Sequence, residues 1–128
     1  MTEINAENIK SQMRKGVLEF CALLILQHRP AYASELIAAL KEANLIVVEG
    51  TLYPLLTRMK NSGLLSYNWV ESTAGPPRKY YELTQAGRTA LDALRTLFSD
   101  ITKSVEILSA TGTDNNINNS DVEDVNNI

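Results

Sequence analysis

The chain has 128 residues, with 12 Lys and Arg against 15 Asp and Glu, one cysteine and one histidine. That length holds one domain with a modest core, or a small domain and a tail. A single cysteine excludes an internal disulfide and a cysteine-rich zinc site, and the longest uncharged apolar run, Phe20–Leu26, has seven residues where a bilayer needs roughly 20.

No N-terminal stretch joins a basic region to an apolar one and a small-residue cleavage site. We therefore expect a soluble, cytoplasmic chain with no membrane partner, in which the sequon-like Asn118-Asn119-Ser120 carries no glycan. The net charge of −3 hides an asymmetry. Residues 111–128 carry four acids and no base, residues 1–110 sum to +1, and residues 51–90 hold five bases and two acids. An acidic chain can thus still show a positive local field to an anionic partner.

The first predicted element is a helix over residues 5–28, capped by Asn5 or Thr2, with Glu7 in its first turn. Its first half is amphipathic, with Ile9, Met13 and Val17 at helical spacing. Its second half, Val17–Leu26, is apolar nearly all round, more surface than one small core can cover. A second chain would cover the rest. Pro30 ends the helix. Within it, Cys21 reads as an inert buried thiol. His28 suits the helix C-terminus, and with no second histidine it offers no metal site.

A second helix is predicted from Tyr32 to Ala43, with Ala33, Leu36, Ile37 and Leu40 on one face. A third runs from Glu49 to Ser62, where Leu52, Leu55, Leu56 and Met59 form one stripe at helical spacing. Its outer face is Gly50, Thr51, Tyr53, Pro54, Thr57, Arg58, Lys60 and Asn61. Pro54 is expected near the first turn, where its missing N–H costs little, and Gly63 is the stop. The period then changes to two. Leu64–Glu71 and Arg78–Thr84 read as strands of a hairpin joined by a six-residue turn, Ser72–Pro77. Trp69 is expected against the helical body, and of Tyr80 and Tyr81 one should face inward. Thr84 caps a last helix that runs to about Leu108, with Ala90, Leu94, Leu97, Ile101, Ser104 and Leu108 close to a heptad seam, widened by Leu91, Phe98 and Val105. From Thr111 the chain is rich in Asn and Asp, has no aromatic residue or periodicity, and is expected to be disordered.

The order helix, helix, helix, hairpin, long helix is that of a winged helix-turn-helix. The fold class is mainly α with a small β-hairpin: a winged helix-turn-helix over residues 1–84, a long C-terminal dimerisation helix over 85–110 and an acidic tail over 111–128. The third helix then offers hydrogen-bonding groups opposite its leucines, and the hairpin tip offers Arg78 and Lys79. A DNA major groove admits such a helix, and the two cations suit flanking phosphates. The same pattern also fits a solvated polar face beside an ordinary surface turn.

These residues carry a resemblance. Gly50-Thr51-Leu52-Tyr53-Pro54-Leu55-Leu56, followed by Arg58-Met59 and Gly63-Leu64-Leu65, is similar to the recognition helix of the PadR family of bacterial transcriptional regulators. Gly75-Pro76-Pro77-Arg78-Lys79-Tyr80-Tyr81-Glu82-Leu83-Thr84-Gln85-Ala86-Gly87 resembles that family's wing and the start of its dimerisation helix. Pro30-Ala31-Tyr32 and Glu35-Leu36 resemble the start of its second helix. Three positions depart from the pattern. Ser34 replaces an aromatic residue, Val48 stands where a polar cap is common, and Pro76 replaces a frequent arginine.

The resemblance implies a homodimeric, sequence-specific DNA-binding repressor. Two recognition helices would enter successive major grooves about 34 Å apart on a palindromic operator. The DNA-binding residues would be Tyr32, Gly50, Thr51, Tyr53, Pro54, Thr57, Arg58, Lys60, Arg78 and Lys79. The dimer interface would be Val17, Leu24, Leu94, Leu97, Phe98, Ile101, Val105 and Leu108, from the long helix and the partner's first helix. It also implies release by a small aromatic or lipophilic effector. Met13, Phe20 and Phe98 are the candidates to line its pocket between subunits, and plain core packing is the other reading of the same three. A different function for the fold is a protein-interaction module without DNA binding. The Thr, Tyr, Arg and Lys on the third helix speak against it. No nucleotide-binding loop, histidine-bearing triad or zinc spacing is present, so neither an enzyme nor a cofactor is expected.

Overall fold

The computed structural model describes residues 2–111. It orders the chain as α1 (Thr2–Leu26), α2 (Ala33–Glu42), α3 (Glu49–Asn61), β1 (Leu65–Ser72), β2 (Gly75–Leu83) and α4 (Gln85–Thr111). Four helices and one antiparallel hairpin give the mainly α class that the sequence implies. The expected disordered tail lies, beyond Thr111, outside the described residues. Among the described residues no helix is long and apolar enough to cross a membrane. The chain divides after Ala93 into two units, so the winged helix with the first turns of α4 is described by itself, and so is α4 from Leu94 onward.

Helix α1 begins at Thr2, earlier than Asn5, and ends at Leu26. Gln27 and His28 form a last hydrogen-bonded turn, donating to the carbonyls of Leu23 (2.9 Å) and Ile25 (3.3 Å), before Pro30 stops it. Only one side of its apolar half is buried, at Leu18, Ala22, Leu23 and Leu26. Val17, Phe20, Cys21, Leu24 and Ile25 are half-buried.

The core gathers Leu23 and Leu26 of α1, Leu36 and Leu40 of α2, and Leu52, Leu56 and Met59 of α3, all fully buried. The leucine stripe read in α3 is the stripe that packs. Both short helices stop by the same device. After α2, Asn44 takes a left-handed φ of 64°, the Asn44 N–H donates to the Lys41 carbonyl (2.9 Å) and the Leu45 N–H to the Leu40 carbonyl (2.8 Å). After α3, Gly63 takes φ 82°, its N–H donates to the Lys60 carbonyl (3.0 Å) and the Leu64 N–H to the Met59 carbonyl (3.0 Å). Each is a left-handed C-cap that satisfies two terminal carbonyls.

Three expectations need correction. Pro54 sits in the second turn of α3, five residues past Glu49, where the sequence reading also starts the helix. It forfeits the helical bond to the Gly50 carbonyl, so its place is not the cost-free first turn. The hairpin turn has two residues, Thr73 and Ala74, instead of six. Gly75, Pro76 and Pro77 belong to β2, and the register skips between Val70↔Arg78 and Ser72↔Gly75. Two prolines therefore stand opposite Glu71 alone, in a bulge, where a residue without an N–H interrupts no ladder bond. Finally, Trp69 is 62% exposed and does not pack on the helical body. Leu65, Tyr67 and Trp69 share one face of β1. Burial falls along that face as the hairpin extends past the helices: Leu65 is buried, Tyr67 half-buried and Trp69 open.

β2 is paired on both edges at one point. Tyr81 bridges Ala31, with N–H to O distances of 2.8 and 3.0 Å, while it also faces Tyr67 of β1. Tyr81 is the inward tyrosine and Tyr80 is half-buried. This bridge ties the start of α2 to the wing. At the other end, Thr84 fulfils its expected role. Its Oγ1 accepts the Gly87 N–H (3.0 Å) and donates to the Gly63 carbonyl (2.6 Å). The Thr84 N–H donates to the Leu64 carbonyl (3.1 Å), so one residue joins the end of α3 to the start of α4.

Candidate nucleic-acid interface

Helix α3 presents one polar arc opposite its buried leucines, and the two edges of that arc face different neighbours. One, Gly50, Tyr53, Thr57 and Lys60, runs at helical spacing along the side facing the hairpin. The other, Thr51, Pro54 and Arg58, lies toward α1, where it shares hollows with Lys15 and Leu18. Together they make the one outer face that the sequence reading expects. No side chain caps the helix at Val48, so the apolar residue at that position leaves the first amides of α3 without the usual oxygen acceptor. A Cβ added at Gly50 would meet nothing within 4 Å. The fold does not demand glycine there, and its contribution is a bare stretch of backbone.

Between α3 and the hairpin is a cleft of about 400 Å³, lined by Tyr32 and Ser34 at the start of α2, Tyr53 of α3, Trp69 of β1, and Arg78 and Lys79 of β2, with the Glu49 carboxylate also on its wall. Four of the residues assigned from sequence, Tyr32, Tyr53, Arg78 and Lys79, thus come from three separate segments to one place. A shallow hollow lined by Tyr53, Pro54, Thr57 and Arg58 continues along the helix. Trp69 is the lining residue that sequence reasoning placed wrongly. Its alternation with Tyr67 and Leu65 marks its face but gives no sign of where the helical body ends.

The cations fall into two groups. Arg58 donates to the Glu19 carboxylate of α1 through both Nε and Nη2. The wing cations instead rest on aromatic rings. The Arg78 guanidinium lies 4.4 Å from the Tyr32 ring centroid, and Tyr32 in turn meets Tyr80 edge-on at 5.1 Å. Lys79 lies 4.5 Å from the Tyr67 centroid and 5.4 Å from that of Trp69, and Lys60 of α3 approaches the same Tyr67 ring at 5.6 Å. Such contacts direct a charged group without neutralising it. At α2 the Glu35 carboxylate accepts the Tyr32 N–H (3.2 Å) and an Arg29 N–H (3.1 Å), which steadies the turn that carries Tyr32.

Two titratable groups are shifted by their surroundings. Burial pushes the Cys21 thiol above its ordinary value, which keeps it protonated and poorly nucleophilic. Burial, then the neighbouring Tyr53 and Tyr67, raises Tyr81, which stays a neutral phenol. Among the described residues no group of His, Cys, Asp or Glu could hold a metal ion. Of the assigned effector residues, Met13 is exposed, Phe20 is half-buried on α1 and Phe98 is exposed on α4. Of the assigned dimer residues, Val17, Leu24 and Leu94 are half-buried, and Leu97, Phe98, Ile101, Val105 and Leu108 are exposed.

Residues 22–93 match the transcriptional regulator PadR-like family. The fold is similar to that of a PadR-like transcription factor from Bacteroides fragilis, with 60% identity, TM-score 0.68 and coverage of 79% of this chain and 98% of that one. It is similar also to a PadR-like transcriptional regulator from Bacillus cereus, at 37% identity and TM-score 0.67, covering 76% and 95% of the two chains. A PadR family regulator from Eggerthella lenta shares 29% identity at TM-score 0.72, over 83% and 89%. No curated protein sequence matches the chain.

Proposed function

Because the chain belongs to the PadR-like family of transcriptional regulators and is no enzyme, we propose that it is a cytoplasmic homodimeric repressor that grips a palindromic operator. The hairpin-side stripe of α3 (Gly50, Tyr53, Thr57 and Lys60) enters the major groove. Arg78 and Lys79 hold the phosphates alongside, and Tyr32 carries Arg78 toward them. Thr51, Pro54 and Arg58 line the α1-side edge of the same groove contact. The observation that carries this reading is the cleft: two cations and the aromatic side chains of Tyr32, Tyr53, Trp69 and Tyr81, from separate segments, converge beside the polar face of one helix.

Two α4 helices and the first helices of their partners bury the apolar stripe from Leu94 to Leu108. A small planar or lipophilic effector binds between subunits beside Met13, Phe20 and Phe98, and lowers DNA affinity by preferring the released arrangement.

Selection of binders from a random duplex library tests the reading. A two-fold symmetric site with half-sites about one helical turn apart is the expected product. Arg78→Ala/Lys79→Ala should weaken its binding in mobility shifts and flatten the salt dependence by roughly 0.9 per lost phosphate contact. Recovery of no preferred duplex overturns the reading.

Arg58 makes a separate prediction. It must exchange the Glu19 carboxylate for DNA, so Glu19→Gln should tighten operator binding. The ion pair is exposed, which limits the gain to about fivefold or less. Arg58→Ala should weaken binding and cancel the effect of Glu19→Gln. Identical affinities for wild type and Glu19→Gln would show that Arg58 stays with α1 and leaves the groove to the other stripe.

A further inference from the structure

Tyr67 stands where the third helix meets the wing. Its ring lies 5.9 Å from that of Tyr81, which is buried, so it is backed by the core on that side. On the rest of the ring sit two ammonium groups from different elements, Lys60 of α3 at 5.6 Å and Lys79 of β2 at 4.5 Å. Those distances put the two ammonium groups no more than about 10 Å apart, so they repel each other and raise the positive potential around the ring. Among the described residues no carboxylate lies within ion-pair distance of either lysine, whereas Lys10, Arg29 and Arg58 each have one. A single anion placed between the two ammonium groups would relieve their repulsion, and the singly charged, regularly spaced phosphates of duplex DNA have that chemistry.

We propose that Lys60 and Lys79 form one phosphate site, assembled on the Tyr67 ring, through which α3 and the wing hold the same backbone phosphate. The inference rests on the DNA-binding reading above and deepens it. Lys60, in this view, fixes the position of the helix along the duplex and does not read a base. Tyr67 is a positioning residue. It sets the spacing of the two lysines and so couples the angle of the wing to that of α3.

The test needs no operator, because phosphate contacts are independent of sequence. The full chain is titrated against a fluorescein-labelled duplex of mixed sequence, by anisotropy, over a range of salt. Lys60→Ala/Lys79→Ala should lower the slope of log affinity against log salt by about 0.9 per subunit, the value for one shared phosphate. Tyr67→Leu should weaken binding about two- to fivefold in the wild-type background. It should add nothing in the Lys60→Ala/Lys79→Ala background, and Tyr67→Phe, which keeps the ring, should bind as wild type.

A slope reduced by about twice that amount, the value for two separate phosphates, overturns the shared site. So does a Tyr67→Leu effect of the same size in both backgrounds. If Tyr67→Leu fails to fold, the slope of the lysine pair decides alone, since Lys60 is exposed and Lys79 only half-buried. A wild-type chain that binds no duplex at any salt overturns the DNA-binding reading itself, and this site with it.

Discussion

Leu97→Asp/Ile101→Asp is expected to yield a folded monomer that no longer holds operator DNA. The sequence places Leu94, Leu97, Ile101 and Leu108 on one seam of α4, widened by Phe98 and Val105. In the single chain Leu97, Phe98, Ile101 and Val105 remain 47–56% exposed, an apolar stripe that water should not be left to cover. Covering a large apolar side chain is worth about 1.5–3 kcal/mol. In a two-fold symmetric interface each substitution acts twice. The double variant therefore removes four apolar groups from the interface and puts four carboxylates in their place. The transfer term alone exceeds about 6 kcal/mol, which weakens the dimer by more than about 10⁴-fold. In the monomer the same positions face solvent, so the cost there is only the modest helix propensity of Asp, about 0.5 kcal/mol per site. Sedimentation equilibrium should show the loss of the dimer and circular dichroism should show the helices retained. Operator affinity should fall because two linked half-sites bind far better than one. A wild-type chain that sediments as a monomer at micromolar concentration, or a double variant that stays dimeric, would remove the basis of the two-fold operator as well.

How far this could be foreseen differs from element to element, for physical reasons. The helices were legible because burial has a period: Leu52, Leu55, Leu56 and Met59 write the packed stripe of α3 directly into the sequence. Thr84 and Gly63 were legible because their roles are local. A hydroxyl at a helix start and a glycine at a helix end act through neighbours a few residues away. Asn44 performs the same left-handed stop as Gly63 and went unnoticed, since only its neighbours' hydrogen bonds distinguish it from a surface asparagine. The hairpin turn was misplaced because Gly75-Pro76-Pro77 is a strong turn signal in isolation. The register with β1 converts it to a bulged strand, and register is not a local property. The binding face shows the same boundary. Residue types on α3 pointed to an anionic partner, but which edge of its exposed side meets α1 and which meets the hairpin depends on where those elements lie. So do the pairing of Arg58 with Glu19 and the gathering of Lys60 and Lys79 on Tyr67. Those partners are 39 residues away for Arg58, and lie on another element for each lysine.

Gly87→Ala should be among the most damaging single-methyl additions in the winged helix. Gly87 is buried in the first turn of α4, and a Cβ built on it would lie 2.1 Å from the Leu64 carbonyl oxygen and 3.2 Å from Leu83 Cδ2. The first of these neighbours is backbone, so no rotamer change relieves the clash. Two opposing effects set the sign. Alanine favours a helix interior over glycine by up to about 1 kcal/mol, and it also restricts the unfolded chain. Against this, forcing an extra carbon into a packed site costs about 1–3 kcal/mol, occasionally more, and the cap is worth about another 1 kcal/mol. The cap suffers because the displaced Leu64 carbonyl accepts the Thr84 N–H, while Thr84 Oγ1 receives the Gly87 N–H. The net expectation is a loss of about 1–3 kcal/mol, which for a domain of this size lowers the melting temperature by roughly 4–15 °C. Gly50→Ala is the matched comparison: its Cβ would meet nothing, so the same methyl should leave the melting temperature unchanged or slightly raised. Equal melting of Gly87→Ala and wild type would mean that α4 does not approach Leu64 as closely as the fold requires. The contact matters for function because Gly63 and Leu64, the two residues that close α3, are the ones Thr84 and Gly87 hold. A chain that folds around the displaced carbonyl would present α3 at a different angle to the wing. In that case operator affinity should fall by more than the loss of folded protein accounts for, and a titration of active sites separates the two.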